Sequence, residues 1–365
     1  KGVGDKNIIT MLLIFLTAGS FVGVVGRSSA ESVAYCMLSL IPARFSVAVL
    51  FVVACFVSVA MGTSVGTITL LTPIAVAVSK ASGFDMAFCV ASVMGGAMFG
   101  DNLSFISDTT IVATRTQGCN MNDKFKVNIR IALPIAILTG LLYVLIGSGV
   151  GSGYETGPIE WIKVLPYLVV LVTAICGVNV MMVLIAGIIL SGIVGLLTGG
   201  FDIWGWNASI GLGITNMGEL IIVTLLAGGM LEMIRYNGGI DWIILKLTSR
   251  IRSTKGAEGS IAALISFANL CTANNTIALI MAGPIAKDIA DRFKIDPRRS
   301  ASLLDIFSCF VQGIIPYGAQ LLMAAGLGHV SPIEIMQYLY YPYLLGVGAL
   351  LAITFNYPRK YAGDC

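Results

Sequence analysis

The sequence predicts an all-α polytopic membrane protein built from two inverted repeats, each with a re-entrant hairpin and a broken transmembrane helix. Three observations lead to this fold class: an apolar composition, apolar stretches of membrane-spanning length, and interruptions that recur after 211 residues. Of the 365 residues, 57% are hydrophobic and 11% are charged, and the mean hydropathy is +0.91. Because a soluble domain carries about 25% charged residues, we expect the chain to lie in a lipid bilayer.

The same composition excludes several functional classes. A net charge of +3 is too small for a protein that binds nucleic acid. The eight cysteines show no spacing typical of a zinc site or a disulfide framework. The single histidine, His329, lies in a short polar turn, which leaves little for Ser-His or Cys-His catalysis. We therefore expect no enzymatic activity and no cofactor.

Six apolar stretches account for the predicted membrane spans, since a span must cross roughly 30 Å of hydrocarbon. They lie at residues 7–26, 127–149, 163–177, 178–199, 208–234 and 335–357. The pair at 163–199 has no counterpart before residue 7, so we expect the chain to lack an N-terminal pair of spans.

Two regions contain shorter apolar runs on either side of a small polar tip. Residues 45–79 surround the tip 62–67, and residues 257–286 surround the tip 272–276. Because each run is too short to cross alone, each region is predicted to be a re-entrant hairpin. Such tips can bind an ion or a carboxylate at a pair of helix ends, although ordinary turns use the same residues. The candidate tip residues are Thr63, Ser64, Thr67, Asn274, Asn275 and Thr276.

Two apolar helices, at 86–115 and 298–325, are interrupted by polar residues. Such breaks are tolerated at membrane depth where the freed backbone lines a cavity or is buried in protein, and in inverted-repeat transporters they bind substrate or ion. The first break supplies two carboxylates, one amide and four hydroxyls, and oxygen ligands suit a hard cation such as Na⁺. The alternative is an extramembrane loop in which Asp and Ser cap helices. The candidate ligands are Asp101, Asn102, Ser104, Ser107, Asp108, Thr109 and, in the second break, Gln312.

An internal repeat relates these elements. A shift of 211 residues superposes Pro73 on Pro284, Asp85 on Asp296 and Asp101 on Gln312, and it aligns the two hairpin tips. The predicted first repeat covers residues 1–150 and the second covers 160–365. Repeats of this kind are typical of secondary transporters.

The distribution of Lys and Arg favours the re-entrant topology. If each hairpin returns to the side it entered from, five crossings separate equivalent elements, and 18 of the 22 basic residues collect on one face. If each hairpin crosses once, the division is 11 to 11. The positive-inside rule therefore assigns the basic loops to the cytoplasm and makes the two repeats inverted. The remaining four basic residues, on the other face, are Arg27, Arg44, Lys80 and Lys163.

Asp305 interrupts an apolar run, and an intramembrane carboxylate is a functional-site hypothesis by default. One interpretation is a proton relay, together with Asp101 and Asp108. The other is an ion pair with a nearby basic residue. The Lys and Arg of 246–255 and 287–299 are expected in solvated cytoplasmic segments.

The first break resembles a family signature, GDxLSPxSDTT of the NhaC-type sodium/proton antiporters, since its sequence is Gly100-Asp101-Asn102-Leu103-Ser104-Phe105-Ile106-Ser107-Asp108-Thr109-Thr110. Phe105 stands where the family often has Pro. The likeness covers most of the chain and is strongest over 55–115. It implies a fold of inverted repeats with paired re-entrant hairpins. It also implies that the ion and proton region lies at Asp101, Ser104, Ser107, Asp108 and Thr109.

Two transport hypotheses follow. The first is Na⁺/H⁺ antiport by alternating access, in which Asp101 or Asp108 binds either Na⁺ (or Li⁺) or protons. The second is proton- or Na⁺-coupled transport of a small organic anion or amino acid, because relatives of the resembled family exchange such solutes. The expected location is a prokaryotic inner or plasma membrane, and a homodimer is one option for the oligomeric state.

Overall fold

The computed structural model describes residues 6–105, 107–147, 159–176, 178–238 and 253–358, and the regular structure of these ranges is helical throughout. Several charges used in the topology prediction, and Ile106 of the signature, lie outside the described residues. These charges are Lys1, Lys246, Arg250, Arg252, Arg359 and Lys360, together with the side chains of Lys6, Arg27 and Arg235.

The first half of the chain folds into six helices. They are α1 (Lys6–Leu40), α2 (Ala43–Met61), α3 (Ser64–Ser82), α4 (Met86–Leu103), α5 (Asp108–Gln117) and α6 (Met121–Gly147). The predicted span at 7–26 is too short, because α1 has 35 residues. Nothing after Arg27 breaks the helix until Pro42, and the residue before a proline is disfavoured in helical conformation.

Four helices follow, and one of them corrects a predicted span. They are α7 (Trp161–Ile175), α8 (Val180–Leu197), α9 (Ile203–Asn216) and α10 (Gly218–Tyr236). The predicted span at 208–234 is wrong, since it joins parts of α9 and α10. Asp202 caps α9 by accepting from the Gly205 N–H at 2.7 Å. A Cβ on Gly213 would lie 2.0 Å from the Gly19 carbonyl oxygen, so the α9 backbone packs directly on α1.

The second half ends with six helices that include another corrected span. They are α11 (Thr254–Thr272), α12 (Asn275–Arg292), α13 (Pro297–Ile314), α14 (Ala319–Gly328), α15 (Pro332–Met336) and α16 (Tyr340–Thr354). The predicted span at 335–357 is divided between α15 and α16. A Ser331–Glu334 capping box starts α15. Pro342 cannot donate to the Tyr338 carbonyl, which instead accepts from the Tyr340 N–H at 2.8 Å.

The helix bounds of the two halves repeat with the offset of 211 residues. The bounds of α2, α4 and α5 coincide to the residue with those of α11, α13 and α14. The tips match in detail as well, because Thr63 and Asn274 cap α3 and α12 through side-chain oxygens. Gly62 and Ala273 both adopt left-handed backbone, with φ of 69° and 47°. For Ala273 this conformation costs about 1–2 kcal/mol.

The hairpin helices are longer than expected. We expected each half to be too short to cross a membrane, but α2 and α3 have 19 residues each, or about 28 Å at 1.5 Å per residue. Both are among five helical segments of the described residues that are long and apolar enough to cross. The re-entrant arrangement therefore rests on the distribution of Lys and Arg, and not on helix length.

Glycines bring α4 into direct contact with α2. A Cβ on Gly100 would lie 2.2 Å from the Ser58 Cβ, and one on Gly96 would lie 2.4 Å from the Phe51 carbonyl oxygen. Ser58 donates to the Ala97 carbonyl at 2.7 Å, and Ser104 donates to the Val59 carbonyl at 2.8 Å. This close packing holds the first break beside the tip of the first hairpin.

Arg299 corrects the expectation that residues 287–299 form a solvated segment. Its side chain is buried and makes a two-pronged ion pair with Glu258, with both N–O distances at 3.0 Å. It also donates to the carbonyl oxygens of Ala352 and Tyr357. This ion pair joins the start of α13 to α11 and to the end of α16.

Candidate functional site

The two hairpin tips and the two helix breaks meet around one cavity of about 110 Å³. Such a volume accommodates an ion with several waters, since one water needs roughly 10–15 Å³ measured in this way. The lining residues are Gly62, Thr63, Ser64, Val65, Asp101, Ser107, Asp108, Thr109, Ala273, Asn274, Asn275, Thr276, Gln312, Ala319 and Gln320.

Asp101 is the buried acid of this cavity, with 4% of its surface exposed. One carboxylate oxygen accepts from the Ser64 hydroxyl at 3.0 Å and from the Asn275 amide at 3.2 Å. The other accepts from the Ser107 hydroxyl at 2.6 Å. Both hairpins and the first break therefore donate to the same carboxylate.

Three helix starts explain how a charge is tolerated at this depth. Ser64 is the first residue of α3, Asn275 is the first residue of α12, and Ser107 directly precedes α5. The N-terminus of a helix carries a partial positive charge and unpaired N–H groups. Hydrogen bonds to an ionised acceptor are stronger than those between neutral groups. The fold thus stabilises the ionised form of Asp101.

A chain of hydrogen bonds links Asp101 to the second break. Gln320 donates to the Ser64 hydroxyl at 3.1 Å, and Gln312 donates to the Gln320 side-chain oxygen at 2.6 Å. Gln312 also donates to the Ala273 carbonyl at 3.1 Å. Its own side-chain oxygen is buried with no hydrogen-bond partner among the described residues. That oxygen is a free acceptor at the wall of the cavity.

Most of the predicted site residues line the cavity. The ten that do are Thr63, Ser64, Asp101, Ser107, Asp108, Thr109, Asn274, Asn275, Thr276 and Gln312. Three do not. Thr67 donates to the Thr63 carbonyl of its own helix, Ser104 donates to α2, and Asn102 donates to Asp305 at 3.1 Å. The sequence did not single out Gln320, although it follows the second break within a predicted broken helix.

The two acids of the first break have different environments. Asp101 is buried, whereas Asp108 is exposed in the first turn of α5, at the edge of the cavity. Both positions adjoin a break that forms without proline, because Ser104 and Ser107 take extended backbone with ψ of 139° and 136°. Phe105 contacts Phe125 of α6, with ring centroids 4.7 Å apart.

Lys124 forms a fully buried ion pair with Asp305, with an N–O distance of 2.6 Å and exposures of 1% and 0%. Asp305 therefore has a basic partner, as the ion-pair interpretation expects, while its role in a proton relay stays a prediction. Lys124 is buried although it lies in the first turn of α6, where Asn122 is exposed and Asp123 is half-buried. Asp305 also interacts electrostatically with Asp101. The site thus contains a second, compensated carboxylate behind the first.

The side chains that line the cavity favour a cation. Its lining includes Asp101 and Asp108 but no Lys, Arg or His, and every lining residue is described. In the ranges that the structure describes, no group of three His, Cys, Asp or Glu is arranged to hold a resident metal. Carboxylate, hydroxyl and amide oxygens are the ligands that hard cations prefer. The lining of the cavity suits a hard cation.

Comparison with known proteins agrees with this chemistry. The sequence profile of the Na⁺/H⁺ antiporter family matches residues 3–148 and 158–357. The chain belongs to this family. The resemblance to NhaC-type antiporters is confirmed, and the family membership together with the apolar helices makes the chain a multi-pass membrane protein.

Two similar relatives come from Bacillus subtilis. One is a "Malate-2H(+)/Na(+)-lactate antiporter", 23% identical over 98% of this chain and 83% of the relative. The other is the Na⁺/H⁺ antiporter NhaC, 23% identical over 99% of this chain and 87% of the relative. A solved structure, the Alcanivorax borkumensis YdaH transporter, aligns over 97% of this chain and 88% of that chain. The two sequences are 14% identical, and the TM-score of the alignment is 0.46.

Proposed function

We propose that this family member exchanges Na⁺ for protons, with Asp101 as the group that binds one or the other. The observation that carries the proposal is the position of Asp101. It is the buried carboxylate at the meeting point of both hairpin tips and the first break, in a cavity without a basic side chain.

The surroundings of Asp101 can change from donors to cation ligands without a change of fold. A hydroxyl has one donor hydrogen and two lone pairs, so Ser64 and Ser107 can donate to Asp101 while a lone pair faces a cation. The Ser107 and Thr109 hydroxyls lie 2.8 Å apart, and the free side-chain oxygen of Gln312 is a further ligand. Li⁺ would bind to the same oxygens.

Antiport follows from the use of a single carboxylate. The hydrogen bonds to Asp101 offset only part of the cost of burying its charge, so a proton takes the place of Na⁺ on this carboxylate when Na⁺ leaves. Na⁺ binding displaces that proton because both need the same oxygens. Exposed Asp108, at the edge of the cavity, passes protons between Asp101 and water.

Alternating access requires that the site open to each side in turn. The two halves share helix bounds under one offset, and the charge distribution supports opposite orientations across the membrane. We propose that the two hairpins act as alternate gates on the cavity, because each contributes one tip to it.

The test is Na⁺-dependent proton flux in proteoliposomes. Addition of Na⁺ or Li⁺ to the wild type is expected to move protons, and Asp101→Asn is expected to abolish this flux because an amide cannot bind and release a proton. Thr67→Ala is the control, since Thr67 is a buried polar residue close to the first hairpin tip that does not line the cavity. Wild-type flux from Asp101→Asn would exclude Asp101 as the exchange group.

A second candidate is coupled exchange of a small carboxylate such as malate or lactate. Two observations favour it: the malate/lactate antiporter among the relatives, and four helices (α3, α5, α12 and α14) that begin at the cavity with N–H groups suited to an anion. Thermal stabilisation by a panel of carboxylates and amino acids, with Na⁺ and without it, separates the candidates. Stabilisation by Na⁺ and Li⁺ alone would eliminate the carboxylate.

A further inference from the structure

A polar cluster lies behind Asp101, centred on the Lys124 ammonium. Its nitrogen lies 2.6 Å from a carboxylate oxygen of Asp305, 2.7 Å from the Asn102 carbonyl and 2.8 Å from the Thr110 hydroxyl. An ammonium has three donor hydrogens, so these three oxygens satisfy it completely. Asn128 supports the same Asp305 oxygen with an amide N–H at 3.0 Å.

The three oxygens around the ammonium form a set that also suits a metal cation. A carboxylate, a backbone carbonyl and a hydroxyl are ligands of hard cations. The Asn102 carbonyl lies in the last turn of α4, where helix carbonyls lack partners in the helix and carry partial negative charge. Lys124 therefore occupies a position at which the fold concentrates negative charge.

The positions that the offset of 211 residues relates to this cluster contain no charge. Under the offset of 211 residues, Lys124 corresponds to Ile335, Thr110 to Leu321, Asn128 to Leu339 and Asp305 to Met94. All four apolar counterparts are buried. The same helices thus pack without an ion pair at this place, and a buried ion pair is often no more stabilising than apolar residues of similar volume. Stability alone does not explain Lys124.

We propose that the Lys124 ammonium is the permanent occupant of a second cation site formed by Asp305, Asn102 and Thr110, and that it limits the protein to one exchangeable cation. This inference rests on the proposed function of Asp101. Asn102, which follows Asp101 in the chain, donates to Asp305 at 3.1 Å, and Lys124 neutralises Asp305. Asp101 is then the one buried carboxylate of the cavity that Na⁺ or a proton balances in each cycle.

The proposal is tested by counting Na⁺ ions. The purified full-length chain is equilibrated with radioactive Na⁺ at alkaline pH, and the ions bound per chain are measured. The wild type is expected to bind one ion and Lys124→Met two, because Na⁺ replaces the ammonium. The double variant Lys124→Met/Asp305→Asn is expected to bind one again, since it loses both charges of the pair.

Binding of the same number of ions by Lys124→Met and the wild type would overturn the proposal. Lys124→Gln is the second variant, because its amide still donates to the cluster without carrying charge. If neither variant folds in saturating Na⁺, the proposal is also contradicted, as Na⁺ should replace the ammonium. Absence of Na⁺ binding by the wild type would instead contradict the function proposed for Asp101, and the difference between Lys124→Met and the double variant would still report on the second site.

Discussion

The two halves of the molecule have the same helix bounds and different chemistry. In the first half the break carries Asp101, whereas the equivalent residue of the second half is Gln312. Both side chains are buried and line the same cavity. One half supplies the charge, and the other supplies an amide donor to Asp101 through Asn275. Both halves thus have the same frame of helix ends, while single residues on that frame give each half its own chemistry.

A buried ion pair is a second difference between the two halves. Arg299 and Glu258 pair in the second half, and their counterparts under the offset are Phe88 and Val47, which are buried and apolar. Neither Arg299 nor Glu258 lines the cavity. Substitutions at this ion pair therefore test how a buried charge affects stability without changing a residue that lines the cavity.

The largest expected effect is on stability at this ion pair. Glu258→Ala leaves Arg299 buried without its partner and is expected to lower the free energy of unfolding by about 3–5 kcal/mol. The double variant Glu258→Val/Arg299→Phe, which copies the first half, is expected to lose less. Denaturant unfolding in detergent micelles measures both variants. A double variant that is less stable than Glu258→Ala would show that the two halves are not interchangeable at this position.

A smaller effect is expected where the two halves donate to the same oxygen of Asp101. Ser64→Ala and Asn275→Ala each remove one hydrogen bond to a carboxylate, worth about 1.5 kcal/mol or more. Each is expected to weaken apparent Na⁺ affinity roughly tenfold, measured as the Na⁺ dependence of proton flux. Thr67→Ala, which loses only a bond to its own helix, should leave the affinity unchanged. Unequal losses from Ser64→Ala and Asn275→Ala would show that one half dominates the binding of the cation.

Local signals in the sequence predicted the frame of the site well. Polar tips between apolar runs marked the ends of the hairpin helices, and the offset of 211 residues aligned both breaks. Asp101 was identified because a carboxylate inside an apolar stretch is costly unless it is paired, bound to a cation or protonated. The tips and the breaks depend on residues that are neighbours along the chain, and the sequence shows these neighbours directly.

Long-range partners were harder to predict. Lys124 stands between Asp123 and Lys126, and a charge in such a run is normally solvated. Its burial depends on where α6 starts relative to the first break, which no local pattern reveals. Asp305 required a partner, but the sequence left several basic candidates. The continuous apolar character of residues 208–234 also gave no indication that they divide between two helices.

If Na⁺ and a proton compete for Asp101, Na⁺ binding must release protons from the protein. Na⁺ is added to purified protein in weakly buffered detergent solution, and the change in pH is recorded against an equal addition of choline. The wild type is expected to release protons in proportion to bound Na⁺, and Asp101→Asn is expected to release none. Proton release by Asp101→Asn equal to that of the wild type would show that Na⁺ and the proton do not compete for Asp101.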